Sequence, residues 1–251
     1  MSLAALLLRG LFLLLLAGAG GIAIAAAFYL AGDKPHWSHA RWDSAGTAPD
    51  PDSEREAIVQ VYGARAWGWR GIFGMHTWIA LKEEGAPAFE RYEVVGFGVS
   101  RGADAVRRNR HAVDGYWAGN PPVLLGEVRG ERAARAIPLL RDAVEAYPFP
   151  RRYDVWPGPN SNSFTAFVLR RAGGLGIELP PLAVGKDYIA EGGILARTPS
   201  GTGFQFSLMG LLGLALAVDE GLEIHLLGMT FGADFTRPAL KLPGIGRLGF
   251  S

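Results

Sequence analysis

The sequence predicts an α+β fold, in which one N-terminal transmembrane helix precedes a mostly antiparallel sheet with packed helices and a long C-terminal apolar hairpin. Three observations support this prediction: an unbroken apolar run near the N-terminus, alternation of apolar and polar residues from residue 57 onward, and two later segments with a helical period. The chain therefore divides into an N-terminal flank (1–10), a transmembrane helix (11–30), a linker (31–56) and a globular domain (57–251).

The first element is the apolar run at 11–30, LFLLLLAGAGGIAIAAAFYL, which contains no Asp, Glu, Lys or Arg. As a helix rising ~1.5 Å per residue, it spans about 30 Å, the thickness of the hydrocarbon core of a bilayer. A cleaved signal peptide is the alternative, because the small residues at 25–27 offer a cleavage site. The run is longer than a signal core of ~7–15 residues and ends in the aromatic pair Phe28-Tyr29, which favours an uncleaved anchor in the lipid bilayer.

The location predicted from this anchor is the cytoplasmic membrane, as a single-pass protein with its body on the non-cytoplasmic side. Positive charges before and after the helix are nearly balanced, so the positive-inside rule decides little between the two orientations. The short flank ahead of the helix favours a body outside the cytoplasm. The linker that follows is rich in Pro, Asp and Ser and has no apolar period.

The globular domain begins with strands, because apolar and polar residues alternate in four successive segments. These segments are AIVQVYGARAW, MHTWIALKEE, RYEVVGFGVS and PVLLGEV. The period then becomes helical over 130–147, where Pro138 predicts either a kink or the true beginning of the helix. A second helix is predicted over 161–172, ended by Gly173-Gly174.

The last predicted element is a hairpin formed by the apolar run at 206–218 and the run that follows it. Thirteen residues are too few to span a membrane. Asp219-Glu220-Gly221 separates the two runs, and Gly221 is expected to take the left-handed position of the turn. We favour a long buried hairpin over a Leu-rich helix, and the apolar content of this hairpin also permits contact with lipid.

The composition excludes several classes of function. Lys plus Arg number 25 and Asp plus Glu number 24, so no nucleic-acid partner is predicted. The chain has no cysteine, which excludes thiolate catalysis, disulfides and thiolate zinc sites. No cofactor is predicted, because the G-x-G-x-x-G pattern at 244–249 leaves no room for the helix that a dinucleotide site needs. No metal site is predicted either, since His36 and His39 lie in a flexible linker.

Two segments carry the candidate chemistry. His76 begins a predicted strand, and the run PGPNSNSF at 157–164 forms a turn that leads into a helix. Ser161 at the start of that helix lies near unpaired backbone amides, which could bind an oxyanion, while His76 could act as its general base and Glu93 could orient the imidazole. The alternative is that Asn and Ser here only cap the helix, and from chemistry alone capping is favoured. The candidate ligand-binding residues are Asn160, Asn162, Ser163 and Lys186.

The chain resembles an uncharacterised family of bacterial proteins, a domain of unknown function that follows one membrane helix. The phrases that carry the resemblance cover roughly residues 57–250: VQVYGARAWGWRGIFGMHTWIALK, VWPGPNSNSF, GKDYIA, PSGTGFQFSLMGLLG and RPALKLPGIGRLG. This family implies no activity.

More distantly, a histidine on a strand followed by Asn and a nucleophile at a helix start is similar to circularly permuted papain-like proteins, which include cell-wall peptidases and the lecithin–retinol acyltransferase group. Their motif holds Asn-Cys, and Ser161 stands at the cysteine position here. Because a hydroxyl is harder to deprotonate than a thiol, the resemblance implies either a serine version or a scaffold that lost the reaction. The favoured hypothesis for the function is a membrane-anchored domain that binds a cell-wall or lipid ligand or a partner. The alternative is a serine-dependent hydrolase or acyltransferase acting on cell-wall or lipid amide or ester bonds.

Overall fold

The computed structural model describes residues 2–33 and 36–249, so parts of the predicted flank, linker and globular domain lie outside the described residues. Helix α1 (Leu3–Ala31) begins after Ser2, whose hydroxyl accepts a hydrogen bond from the Ala5 amide at 3.2 Å. The segment Leu8–Ala31 is long and apolar enough to cross a membrane. Only 17% of its apolar window is buried inside the protein, unlike the core helix of a globular domain.

The first part of the body is a five-stranded antiparallel sheet in the order β4-β3-β2-β1-β5. Its strands are β1 (Ile58–Arg65), β2 (Met75–Lys82), β3 (Glu90–Val94), β4 (Val106–Arg108) and β5 (Val123–Arg129). Helices α2 (Gly130–Glu145) and α3 (Ser161–Arg171) pack on one face of it and enclose the main apolar core. The predicted strands and both predicted helices are confirmed, and α2 continues through Pro138.

The second part is a seven-stranded antiparallel meander, in which each strand pairs with its neighbours in the chain. Its strands are β6 (Leu195–Arg197), β7 (Gly203–Leu208), β8 (Leu212–Ala217), β9 (Gly221–Leu226), β10 (Met229–Asp234), β11 (Ala239–Leu242) and β12 (Gly246–Gly249). The predicted α+β class, with its N-terminal apolar helix and C-terminal hairpin strands, is therefore confirmed.

The apolar run at 206–218 is strand, as predicted, but it is divided between two strands. The chain turns between β7 and β8, where Met209 and Gly210 have φ values of 54° and 75°. The turn between β8 and β9 ends at Gly221, whose φ of 66° is the predicted left-handed conformation. The large residues of the run were expected in a core, yet Leu216 is 64% exposed. The reason is that the smaller, more polar face of the sheet is the one turned towards the body.

Helix α1 lies against the second sheet at β11 and, through Gly18 and Phe231, at β10. A side chain at Gly18 would collide with the ring of Phe231, and one at Gly21 would stand 2.5 Å from the carbonyl oxygen of Pro243. Close approach of the helix therefore depends on these two glycines. The 3-10 helix at Gly68–Ile72 also contacts α1.

Residues 41–48 of the predicted linker run along the body. Ser44 forms a β-bridge with Gly115, and its hydroxyl donates to Asp114 at 2.6 Å. The Asp114 carboxylate also accepts from the Ala48 amide at 3.0 Å. These contacts hold the segment next to the loop at 109–120, which covers the face of the first sheet opposite α3. The linker boundaries stay a prediction.

Candidate functional site

Strand β2 positions the histidine of the site. His76 is opposite Ala64 of β1, and its ring lies on the same face of the sheet as Trp78, with ring centroids 5.8 Å apart. Because side chains alternate along a strand, the neighbouring Thr77 points to the other face, towards α3. The Thr77 hydroxyl donates there to Asn162 Oδ1 at 3.0 Å.

Glu93 is the centre of a buried polar cluster behind His76. Its Oε2 lies 2.8 Å from His76 Nε2 and accepts from Arg91 at 2.9 Å, while its Oε1 lies 2.8 Å from His111 Nδ1. Glu93 and Arg91 are almost fully buried. The contact between His76 and Glu93 is the one that the sequence predicted, and the carboxylate joins two imidazoles and a guanidinium.

The charge states follow from burial and these contacts. Burial lowers the pKa of His76 below its ordinary value, and this effect exceeds the opposing effect of its hydrogen bond to Glu93. Burial alone would raise the pKa of Glu93, but hydrogen bonds from His111 and His76 and the charge of Arg91 hold that pKa well below its usual range. At neutral pH, Glu93 is therefore a carboxylate and His76 is neutral. Its Nε2–H donates to Glu93, which leaves Nδ1 as an acceptor; no hydrogen bond joins Nδ1 to another group in the described part of the chain.

Aromatic rings fix the plane of the imidazole. The ring of Trp117 stacks on His76 with centroids 3.6 Å apart and planes inclined by 12°. Trp42, from the segment before the first strand, stacks on His111 with centroids 5.2 Å apart. The Arg91 guanidinium lies 4.0 Å from the centroid of the Trp78 ring. The His76 ring is consequently held by packing on one side and by Glu93 at its Nε2.

The start of α3 provides the second part of the site. The Asn160 side chain accepts from the amides of Asn162 and Ser163, both at 3.0 Å, and Ser163 Oγ accepts from the Asn160 amide at 2.8 Å. This is a capping box, so the capping interpretation is confirmed for Asn160 and Ser163. Ser161 takes no part in the capping box. Asn160 Nδ2 also donates to the carbonyl oxygens of Val155 and Val184.

A cavity of about 550 Å³ opens at the amino-terminal ends of β2 and α3. Such a volume is ordinary for a small-molecule site. The aromatic residues that line it are Trp67, Trp69, Phe73, Phe97, Trp117, Tyr153 and Trp156. The polar residues that line it are Arg70, His76, Asn160, Ser161 and Asn162. The cavity thus brings together four of the candidate residues, with Glu93 in contact with His76.

His76 and Ser161 border the same cavity but are not in direct contact through their functional groups. Among the residues that the structure describes, no hydrogen bond joins the His76 ring to the Ser161 hydroxyl. Ser161 lies on the α3 side of the sheet, where its carbonyl oxygen is 3.4 Å from the Thr77 hydroxyl. His76 projects from the opposite face, so the two side chains reach the cavity around the beginning of β2.

Lys186 and Ser163 are not among the described residues that line this cavity. The Lys186 ammonium is buried, donates to the Leu179 carbonyl at 2.6 Å and pairs with Glu223 of β9 at 2.8 Å. Lys241 of β11 also pairs with Glu223 at 2.8 Å. This ion cluster ties the second sheet to the segment that follows α3.

Sequence reasoning missed three residues of the site. Arg91 could have been found, because it is two positions from Glu93 and therefore shares its face of β3. His111 and Trp117 lie in an irregular loop without any period, and nothing in the sequence indicates that this loop folds over His76.

Most residues of this site lie in a part of the chain that matches a known protein family. A family model described as "Protein of unknown function (DUF3750)" matches residues 56–188. The matched range contains His76, Glu93, the α3 start and Lys186, and it excludes α1 and the second sheet. No curated protein and no solved structure matches the chain.

Proposed function

The chain belongs to this family of unknown function, DUF3750, and from the geometry of its cavity we propose that it is a membrane-anchored binding protein for an amphiphilic ligand. The observation that carries the proposal is an aromatic cavity of about 550 Å³ in which a neutral, rigidly held His76 offers an acceptor. Apolar walls with a few fixed polar groups are typical of ligand sites.

The polar groups indicate which kind of ligand fits. Asn162 is already used by the protein, because its Nδ2 donates to the carbonyl oxygens of Met75 and Val184. His76 Nδ1 is the group left to bind a ligand, because the Ser161 hydroxyl already interacts with the Tyr153 hydroxyl in the cavity wall. Arg70 is exposed, and no ion pair joins its guanidinium to a carboxylate of the described residues. An acyl chain or ring with an anionic headgroup matches the aromatic walls and this arginine.

The anchor in this proposal is α1, the one described helix that is long and apolar enough to cross a membrane. The body would lie on the non-cytoplasmic side of the cytoplasmic membrane, in the bacterial envelope, on a scaffold similar to papain-like proteins. Attachment of a reporter that is active only outside the cytoplasm to the C-terminus tests this orientation.

Photo-crosslinking tests ligand binding. The full chain in lipid nanodiscs is treated with a diazirine-bearing fatty acid, and the labelled residues are located by mass spectrometry. We expect labelling of cavity residues, and we expect Val155→Trp to reduce it because Val155 lines the cavity. The matched control is Val123→Trp, at an equally exposed valine of β5 outside the cavity. Labelling confined to α1, or equal in both variants, would contradict the proposal.

A serine-dependent hydrolase or acyltransferase is the second candidate. One observation favours it: the Ser161 hydroxyl is not used by the capping box and borders the cavity shared with His76 and Glu93. Under this hypothesis His76 takes the Ser161 proton as the hydroxyl oxygen bonds to the carbonyl carbon of a cell-wall or lipid ester or amide. The bond to the alcohol or amine then breaks, this leaving group takes the proton from His76, and water or an acceptor alcohol removes the acyl group from Ser161. The His76 imidazole and the Ser161 hydroxyl would come into contact only after a rearrangement at the start of β2.

A fluorophosphonate probe separates the two candidates. The native chain is compared with Ser161→Ala and His76→Ala, with circular dichroism to show that each is folded. Labelling of the native chain that is lost in both variants would establish a reactive pair. A folded native chain that does not react leaves binding as the function.

A further inference from the structure

The second sheet has its polar and apolar faces reversed with respect to a sheet of a water-soluble domain. The face turned towards the body is polar: Ser207 Oγ donates to Asp187 at 2.9 Å, Gln205 Nε2 donates to the Asp187 carbonyl at 2.9 Å, and Glu223 joins the buried lysines. In antiparallel sheets with one face in water, the buried face is normally the apolar one. In this sheet the polar face is buried, so the apolar face is the one that meets the surroundings of the protein.

The outward face is apolar across the sheet. Residues paired directly across neighbouring strands share a face, and the register places Phe206 opposite Leu214, Leu214 opposite Ile224, and Ile224 opposite Phe231. The large exposed apolar residues on this face are Leu195, Phe204, Leu208, Leu212, Leu214, Leu216, Leu222, Leu240 and Leu248. Contiguous apolar patches of this kind mark interaction surfaces for protein or membrane.

The position of helix α1 favours a membrane over a protein as the partner of this face. Its Gly18 lies against the ring of Phe231, which belongs to the outward face and is buried there. Gly18 lies inside the membrane-spanning segment Leu8–Ala31, so the apolar face adjoins the part of the helix that would be surrounded by lipid. Because Gly18 is near the middle of this segment, the sheet lies alongside the apolar helix and not beyond its end, and its exposed apolar residues adjoin the same surroundings as the helix.

We propose that the outward face of the β6–β12 sheet docks into the acyl-chain region of the lipid bilayer beside α1, at the level of the Gly18 contact, so that this face of the body lies in lipid instead of in water. The proposal rests on the membrane anchor of the proposed function. Each leucine moved from water into hydrocarbon contributes the ordinary burial free energy of an apolar side chain. The exposed apolar residues of the outward face thereby form a second membrane contact, in addition to α1.

The absence of cysteine makes the full chain suitable for single-site spin labelling. Nitroxides are attached at Leu13→Cys in α1, at Phe204→Cys and Leu216→Cys on the outward face, and at Leu139→Cys on α2 as the control. All four leucine or phenylalanine positions are exposed. The labelled proteins are reconstituted into phosphatidylcholine–phosphatidylglycerol vesicles. Collision with oxygen, which concentrates in lipid, is compared with collision with a water-soluble nickel chelate.

We expect labels at 13, 204 and 216 to collide more with oxygen than with nickel, and the label at 139 to show the reverse. If 13 is in lipid while 204 and 216 are open to nickel, docking is wrong and the anchor stands. If 204 and 216 are shielded from both reagents, a second copy or another protein covers the face, and docking is again wrong. If 13 is open to nickel, the anchor itself is wrong.

Discussion

At the scale of single residues, Glu93 determines how the candidate site is held together. Its carboxylate is the shared partner of His76, His111 and Arg91, and all of these groups except His111 are nearly excluded from water. Removing one member of such a buried cluster leaves the remaining charge unpaired, which costs more than the cluster itself contributes. The stability of the cluster therefore depends on the carboxylate of Glu93.

Glu93→Gln tests this dependence. The amide cannot neutralise the Arg91 guanidinium, so we expect the free energy of unfolding to fall by about 3 kcal/mol. Chemical unfolding of the full chain in detergent micelles measures it. Glu131→Gln is the control, because Glu131 is 92% exposed and pairs with Arg135 on the surface of α2. Equal stability of Glu93→Gln and the native chain would show that the cluster is not held as described.

The pKa of His76 gives a second prediction. Because this pKa is lowered in the folded state, the unfolded chain binds a proton at a higher pH than the folded chain does. Stability therefore falls as the pH decreases below about 6.5, the value in the unfolded chain. His225, buried with its pKa also lowered, acts in the same direction. Loss of stability through Glu93 begins lower, as the pH falls through about 4.3.

His76→Gln should flatten part of this profile. We expect its unfolding midpoint to change less between about pH 5 and 6.5 than that of the native chain. His225 should keep the remaining slope. The control is His36→Gln, at an exposed histidine outside the cluster, and the slope of His76→Gln is compared with the slope of this variant as well as with that of the native chain. A native slope in His76→Gln would mean that the His76 imidazole titrates normally in the folded state.

At the scale of elements, the cap of α3 also forms part of the cavity wall. Asn160 accepts from two amides of the first turn and donates to carbonyl oxygens on both sides of the cavity. Asn160→Ala should lower the free energy of unfolding by about 1 kcal/mol through the cap alone, and by more because the Val155 carbonyl loses a donor, while the Val184 carbonyl keeps the one from Asn162. Asn120→Ala is the control, since its side chain donates to the Trp117 carbonyl and caps no helix among the described residues. Chemical unfolding again measures the difference.

The elements that could be predicted from the sequence are those with a clear period. Alternation located β1, β2 and β5, and helical spacing located α2 and α3. The turn at Met209-Gly210 was missed because apolar residues continue on both sides of it, so that Gly210 alone marks the break between β7 and β8. Periodicity also cannot tell which face of a sheet meets the body, and the apolar face was wrongly expected to be buried.

The site could be predicted only where its residues lie on such elements. His76 and Glu93 meet because the register of adjacent strands brings them together, and Asn160 caps a helix that the sequence already indicated. The loop that carries His111 and Trp117 is positioned by tertiary contacts, including Asp114 with the segment before β1. Such long-range contacts leave no local pattern in the sequence.

At the scale of the whole molecule, the cavity, the outward face and α1 are neighbours. Leu227 and Met229, at the turn between β9 and β10, line the cavity, and Met229 pairs with Leu226 on the outward face. The Trp156 indole at the cavity rim donates to the Leu227 carbonyl at 2.7 Å. If the sheet docks on lipid, the cavity therefore lies close to the bilayer from which an amphiphilic ligand would come.

The packing of α1 on the body yields the last prediction. A side chain at position 21 would stand 2.5 Å from the carbonyl oxygen of Pro243, a backbone atom that cannot move aside easily, whereas one at Gly20 would meet nothing within 4 Å. Gly21→Leu should therefore separate α1 from the sheet, while Gly20→Leu should not. Distances between nitroxides at Leu16→Cys and Leu248→Cys, measured by pulsed electron spin resonance in nanodiscs, should become longer and broader only in Gly21→Leu. An unchanged distribution in that variant would mean that the helix does not pack on the body through this glycine.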